Sequence, residues 1–181
     1  MSRYRTTGVD ETRRLAAAIS ALARPGDLIL LVGDLGAGKT AFAQGFAAAL
    51  GVEEQVTSPT FTLARTYQGR LTLNHLDVYR LDRLQEADDL GLAELVDDGG
   101  VTLIEWGDAV RPALPPDYLE VRLAFGAGPD PTGPAAGDLA AVDLAAVDAA
   151  DDVRDIELSI LGPSWTSRAH ALGAAVEAWG C

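Results

Sequence analysis

Hydrophobic side chains recur at helical spacing in three stretches of the chain. Residues 10–23 form the first, and their pattern predicts an amphipathic helix with Asp10 as its N-cap. Residues 40–50 form the second, and Gly51 follows them where a helix-terminating glycine belongs. Residues 168–179 predict a third helix close to the C-terminus.

Shorter apolar segments predict six strands. They lie at residues 28–32, 60–67, 71–77, 101–105, 119–125 and 155–161. The runs 28–32 and 101–105 are continuously apolar, as in parallel strands buried on both faces. The last two segments alternate apolar with polar residues, which favours a half-exposed antiparallel pair. Residues 84–96 are rich in Leu, Ala and acids and predict one or two short helices. The whole pattern indicates an α/β sandwich around a mostly parallel sheet, with an antiparallel strand pair towards the C-terminus.

One segment, residues 126–154, differs from the rest in composition. Ala, Asp, Gly and Pro dominate it, and it contains no aromatic residue. So little apolar bulk cannot offset the entropy of ordering the segment. We expect a mobile acidic insertion within a single domain that spans residues 1–181, a length that suits one core.

Charge narrows the classes of function. The chain has 14 basic and 27 acidic residues, and its net charge of −13 would repel a nucleic-acid backbone. No apolar run approaches the ~20 residues that span a bilayer, and the N-terminus lacks an apolar signal region. With Cys181 as the single cysteine, we expect a cytoplasmic protein without disulfides that binds neither membranes nor nucleic acid directly.

A glycine-rich motif stands between the strand at 28–32 and the helix at 40–50. It reads GDLGAGKT and fits the phosphate-loop pattern G-x-x-x-x-G-K-[ST]. Its backbone N–H groups can wrap a phosphate, Lys39 can reach the β and γ phosphates, and Thr40 can offer its hydroxyl to Mg²⁺. The expected phosphate-site residues are Gly33, Asp34, Leu35, Gly36, Ala37, Gly38, Lys39 and Thr40. Lys39 is also the only lysine in the chain. The motif therefore predicts a nucleoside triphosphate site on a three-layer, P-loop NTPase-like sandwich.

Two predicted strands end in acids, Asp77 and Glu105. The carboxyl ends of parallel strands open onto the same crevice as a phosphate loop, so either acid could bind Mg²⁺. His75, by contrast, is expected to be an ordinary half-buried strand residue rather than a ligand.

Three other classes of nucleotide-binding protein contain a phosphate-binding loop. A GTPase would carry N-K-x-D, but the nearest match, residues 74–77, lacks the lysine. A small-metabolite kinase would need an acceptor subdomain and an arginine-rich lid, for which only the acidic segment 126–154 is available. A nucleotide-sensing binding module would scarcely need both Asp77 and Glu105. Kinase and binding module remain the alternatives to an ATPase.

Four blocks of sequence together resemble one family. GDLGAGKT at 33–40, SPTFTL at 58–63, HLDVYR at 75–80 and IEW at 104–106 are similar, in order and spacing, to the TsaE (YjeE) family of bacterial ATPases. The resemblance covers roughly residues 10–125. It implies a role in making N6-threonylcarbamoyladenosine on tRNA, with ATP hydrolysed while the protein is bound to TsaB and TsaD. Contact with tRNA would then be only indirect, through that complex.

The resemblance also assigns roles to single residues. Lys39 would act on the phosphates of ATP, Thr40 and Glu105 would bind Mg²⁺, and Asp77 would position or activate water. Thr60 would lie in a switch-like loop that faces the γ-phosphate, and Trp106 would flank the site. A basic contact to the nucleotide can be matched only loosely, to Arg154 or Arg168, and this choice stays open.

Overall fold

The computed structural model describes residues 2–59, 62–79, 99–126 and 153–181. The strands in these ranges are β1 (Ser2–Thr6), β2 (Leu28–Val32), β3 (Ala64–Tyr67), β4 (Leu73–Asp77), β5 (Val101–Glu105), β6 (Tyr118–Phe125) and β7 (Arg154–Leu161). The helices are α1 (Val9–Ser20), α2 (Lys39–Ala49), α3 (Pro163–Thr166) and α4 (Ala169–Val176). Two 3₁₀ turns lie at Arg111–Ala113 and Glu177–Trp179.

In the described part of the chain the strands form one seven-stranded sheet in the order β1-β7-β6-β2-β5-β4-β3. The central strand β2 is parallel to both β5 and β6, and β4 is parallel to β5. β7 and β3 run in the opposite direction. The carboxyl ends of β2, β4 and β5 therefore meet at one edge, where Asp77 lies opposite Glu105 and Glu105 opposite Leu31.

Both faces of the sheet are covered. Ile29 and Leu31 of β2 belong to a core shared with the buried sides of α1, α2 and α4. Leu28 and Leu30 point the other way, into a smaller apolar cluster that includes Val110 after β5. Burial on both faces explains why β2 is continuously apolar, and it agrees with the predicted three-layer α/β sandwich.

The start of α1 differs from the sequence prediction. The helix begins at Val9 with Gly8 at the N-cap, so the assignment of Asp10 as N-cap is wrong. Glu11, inside the first turn, accepts hydrogen bonds from the backbone N–H and the hydroxyl of Thr7, at 2.7 and 2.9 Å. These bonds tie the first turn to the residue before the N-cap, but Gly8 itself has no side chain with which to cap the helix. The end of α2 is as predicted, with Gly51 at φ 80° directly after the C-cap.

Two strands near the termini also differ from expectation. β1 was not predicted, because only Tyr4 and Thr6 of its five residues are buried. β6 was predicted as half-exposed, but its first four residues are buried because it is parallel to β2 on one side and antiparallel to β7 on the other. The predicted helices at 84–96 and most of the acidic insertion lie outside the described residues. Among the described helices, none has the length and apolarity needed to cross a membrane.

Candidate active site

The glycine-rich loop connects the carboxyl end of β2 to the first turn of α2. Gly33 has φ 149°, and a Cβ there would lie 2.1 Å from the carbonyl oxygen of Leu123 on β6. Gly38, at φ 103°, precedes the helix in a left-handed conformation. Only glycine fits these two positions without strain. The loop therefore keeps its backbone close to β6 and leads directly into the N-terminus of α2.

Lys39 lies across this loop. Its Nζ donates hydrogen bonds to the carbonyl oxygens of Gly33 and Asp34, at 2.7 and 2.8 Å. The same Nζ lies 3.6 Å from the centroid of the Trp106 ring, a cation–π contact. Burial lowers the pKa of the Lys39 ammonium below its ordinary value of 10.5, while the charge of Glu105 favours the protonated form. The ammonium group is thus held over the phosphate loop and largely removed from water.

Thr40 and Glu105 meet beside the lysine. The Thr40 hydroxyl lies 3.1 and 3.0 Å from Oε1 and Oε2 of Glu105, so it reaches both carboxylate oxygens. Oε1 is also 2.9 Å from Nε2 of His75 on β4. Glu105 is almost fully buried at the end of β5, and its carboxylate receives a hydrogen bond from each of two elements. The structure therefore places a phosphate-loop hydroxyl and a strand carboxylate within reach of one ion.

Asp77 stands next to Glu105 across the parallel pair β4–β5. Its Oδ2 accepts a hydrogen bond from the Ser58 hydroxyl at 2.6 Å, and its Oδ1 accepts one from the backbone N–H of Tyr79 at 3.0 Å. The backbone N–H of Asp77 donates to the carbonyl of Leu63, which has a left-handed φ of 63°. The loop that contains Ser58 is therefore joined to this acid at both of its ends.

Trp106 directly follows the buried carboxylate and has an unusual backbone. Its φ of 62° is rare for a bulky residue and carries strain. This conformation turns the indole back over Lys39, where it also contacts the ring of Tyr79 at a centroid distance of 4.8 Å. Strained backbone next to a buried acid and a phosphate-loop lysine is typical of functional sites.

These side chains surround a cavity of about 340 Å³. Its lining is Leu35, Gly36, Gly38, Lys39, Thr40, Ala41, Ser58, Glu105 and Trp106. A second cavity of about 220 Å³ adjoins the other side of the loop and is lined in part by Val9, Thr12 and Arg154. Five of the eight predicted loop residues thus line this cavity together with Glu105 and Trp106, whereas Gly33, Asp34, Ala37 and Asp77 are not part of its lining. Thr60 lies outside the described residues.

Arg154 and Arg168 are the two candidates from the sequence for a basic contact to the nucleotide, and they lie in different parts of the structure. Arg154, at the start of β7, lies 3.4 Å from the carbonyl oxygen of Gly36 and 4.5 Å above the Phe125 ring. Arg168 is buried and bonds both carboxylate oxygens of Asp27, at 2.7 and 2.5 Å. Arg154 is therefore the arginine beside the phosphate loop, whereas Arg168 is a core residue.

His75 is the site residue that sequence reasoning missed. It lies on a strand, as expected, but the expectation that it is half-buried is wrong, because its side chain is fully buried and contacts Glu105. The sequence shows two predicted strands that each end in an acid, but it shows neither that they are neighbours nor the register in which they pair. Because His75 pairs with Leu103, Glu105 lies two residues further along β5 and on the same face of the sheet as His75.

The fold and loop define a class of protein. A glycine-rich turn between a central parallel strand and a helix, inside a three-layer α/β sandwich, is the phosphate-loop arrangement. The crystal structure of YdiB from Bacillus subtilis has the same architecture, with a TM-score of 0.71 and 33% sequence identity. The match covers 95% of this chain and 93% of YdiB.

Sequence comparison identifies the family. Residues 6–127 match the family described as threonylcarbamoyl adenosine biosynthesis protein TsaE. The tRNA threonylcarbamoyladenosine biosynthesis protein TsaE of Bacillus subtilis is 45% identical over 120 residues, which are 66% of this chain and 75% of the relative. The protein of that name from Treponema pallidum is 48% identical over 113 residues, 62% and 84% of the two chains. The chain belongs to the TsaE family, and the resemblance carried by its four sequence blocks is confirmed.

Proposed function

We propose that this chain is the ATPase subunit required for tRNA N6-threonylcarbamoyladenosine modification, and that it hydrolyses Mg²⁺-ATP in complex with TsaB and TsaD. One observation carries the ATPase part of the proposal. Three separate segments, the start of α2 with Lys39 and Thr40 and the ends of β4 and β5 with Asp77 and Glu105, converge at one edge of the sheet. Membership of the family supports the role in tRNA modification.

The phosphate loop supplies the binding half of the site. Its backbone N–H groups and the N-terminus of α2 would hold the phosphates of ATP. Lys39 now donates to the carbonyls of Gly33 and Asp34, and it would exchange them for β- and γ-phosphate oxygens. Burial strengthens the attraction to a phosphate, because two opposite charges interact more strongly in a partly desolvated site than in water.

The chemistry of the donors fits Mg²⁺. The Thr40 hydroxyl and the Glu105 carboxylate are hard oxygen ligands that lie 3.0 Å apart. Within the described ranges no group of three His, Cys, Asp or Glu side chains forms a preformed metal site. Few protein ligands suit Mg²⁺, which keeps water molecules and substrate phosphates in its shell. When bound, the ion would neutralise charge on the phosphates.

Asp77 would act on the attacking water. Its carboxylate lies one strand from Glu105 and is tied by Oδ2 to Ser58 in the 58–63 loop. An acid in this position can orient a water molecule and accept its proton. The link to Ser58 couples that acid to the loop, and Thr60 in the same loop would face the γ-phosphate. Loops of this kind change order with the state of the nucleotide.

Charge favours a protein partner over tRNA itself. The net charge of −13 opposes binding to an RNA backbone. Several arginines of the described residues are paired with carboxylates, including Arg5 with Asp155 at 2.7 Å and Arg122 with Glu120 at 3.1 Å. We therefore expect negligible affinity of the isolated chain for tRNA and nucleotide-sensitive association with the TsaB–TsaD complex.

ATP hydrolysis by the purified chain, alone and with TsaB and TsaD, tests the proposal. We expect slow turnover that the complex accelerates, and loss of turnover in Lys39→Ala and Thr40→Ala. Arg14→Ala is the control for Lys39→Ala, because it also removes one cation but at a surface position that is 66% exposed. Phosphoryl transfer to a small metabolite would favour the kinase alternative. Binding of ATP without hydrolysis under any condition would favour the binding module.

A further inference from the structure

His75 is a fully buried polar residue that contacts Glu105, the candidate metal ligand. Its Nε2 lies 2.9 Å from Oε1 of Glu105, and the two side chains are 0% and 3% exposed. Its other ring nitrogen, Nδ1, is buried without a hydrogen-bond partner among the described residues. A histidine kept in a core for stability alone would be expected to satisfy both ring nitrogens. The contact with Glu105 is therefore the feature of His75 that needs an explanation.

The position of that contact on the carboxylate is informative. Thr40 lies almost equally far from the two oxygens of Glu105, at 3.1 and 3.0 Å, so its hydroxyl does not select one of them. The terminal torsion of a glutamate is broad and is not fixed by its own rotamer preference. A bond from His75 to Oε1 fixes this torsion and leaves Oε2 facing the Thr40 hydroxyl.

We propose that His75 is the positioning residue for Glu105: it holds Oε1 through Nε2–H and so presents Oε2, together with Thr40, to the metal ion. This inference rests on the proposed function, because it takes the Mg²⁺ site at Thr40 and Glu105 as given. Groups that hydrogen-bond to a metal-binding side chain orient it, and their loss typically lowers metal affinity about 10–100-fold. His75 acts through Glu105 and touches neither nucleotide nor metal.

The test measures metal binding without turnover. Mn²⁺ replaces Mg²⁺ as the probe, and its binding to the chain with ADP is followed by electron paramagnetic resonance. The variants are His75→Leu, which removes the donor, and His75→Gln, whose amide N–H can take the place of Nε2–H. Tyr67→Phe is the control, since it removes a neighbouring buried hydroxyl that has no partner in the described residues and leaves the bond to Glu105 intact. Circular dichroism melting checks that each variant is folded.

We expect Mn²⁺ binding to weaken about 10–100-fold in His75→Leu, to recover in His75→Gln and to stay unchanged in Tyr67→Phe. Affinity for ADP in EDTA should be the same in all four proteins. Normal Mn²⁺ binding by folded His75→Leu would overturn the inference while leaving the proposed function intact. Failure of His75→Gln to recover, or an equal loss in Tyr67→Phe, would also overturn it, because packing would then explain the effect. Absence of Mn²⁺-ADP binding by the unaltered chain would instead refute the proposed metal site itself.

Discussion

Replacing Arg168 with methionine should destabilise the fold and leave the nucleotide site intact. The guanidinium of Arg168 bonds both carboxylate oxygens of Asp27 and the carbonyl of Leu22, the last at 2.7 Å. It also lies 4.1 Å above the Trp165 ring. These contacts join α3 and α4 to the turn between α1 and β2. Methionine fills a similar volume but provides no partner for Asp27.

The expected magnitude follows from burial. The side chains of Arg168 and Asp27 are 4% and 3% exposed, so Arg168→Met leaves a carboxylate buried without its counter-ion. Breaking such a pair from one side costs about 3–5 kcal/mol. For a chain of this size each kcal/mol corresponds to about 2–4 °C, so the melting temperature should fall by about 6–20 °C.

The assay combines thermal unfolding with ADP titration well below the melting temperature. The double variant Asp27→Asn, Arg168→Met is the matched control, since it removes both charges. It should lose less stability than Arg168→Met alone, because no unpaired charge stays buried. ADP affinity should be unchanged in both proteins. A small change in melting temperature together with a large loss of ADP affinity would refute this reasoning and make Arg168 a nucleotide contact.

Three further predictions concern the site and the acidic insertion. Glu105→Ala should raise the Mg²⁺ concentration needed for ATP hydrolysis, whereas Asp77→Ala should lower turnover and leave ADP affinity nearly unchanged. Equal effects of the two variants on Mg²⁺ dependence would contradict the assignment of the metal to Glu105 and of the water to Asp77. Gly33→Ala should abolish ADP binding, because its Cβ would lie 2.1 Å from the carbonyl of Leu123, and wild-type affinity would show that the loop adapts. Replacing residues 127–152 with a short turn should leave the melting temperature and basal hydrolysis unchanged, since the backbone N–H of Gly126 already bonds the carbonyl of Val153 at 2.9 Å. A large drop in melting temperature would show that the insertion packs against the rest of the domain.

Local spacing in the sequence was enough to predict the central elements of the site. The apolar run of β2, the phosphate-loop pattern and the helix that ends before Gly51 all lie within about 25 consecutive residues, where backbone geometry and periodicity act directly. The acids Asp77 and Glu105 could be predicted as site residues because each ends a predicted strand. These features needed no knowledge of which segments meet in space.

Features that depend on distant partners could not be predicted in the same way. His75 and Glu105 are 30 residues apart, and Arg168 and Asp27 are 141 residues apart. β1 lies near the N-terminus and joins the sheet by pairing with β7, which lies much later in the sequence. Its alternation is too short and too polar to indicate a strand by itself. These contacts and the strand β1 depend on strand register and on burial by distant residues. Neither can be read from a single sequence.

Reconstituted tRNA modification over many turnovers tests the central claim most directly. TsaB, TsaD, tRNA, ATP and an activated threonylcarbamoyl donor would be combined with this chain, without it, or with its Lys39→Ala variant, and N6-threonylcarbamoyladenosine would be counted per TsaD. We predict repeated turnover with the unaltered chain and arrest after few rounds in the other two mixtures. The same yield in all three would contradict the account, because modification would then require neither this chain nor the nucleotide chemistry of its phosphate loop.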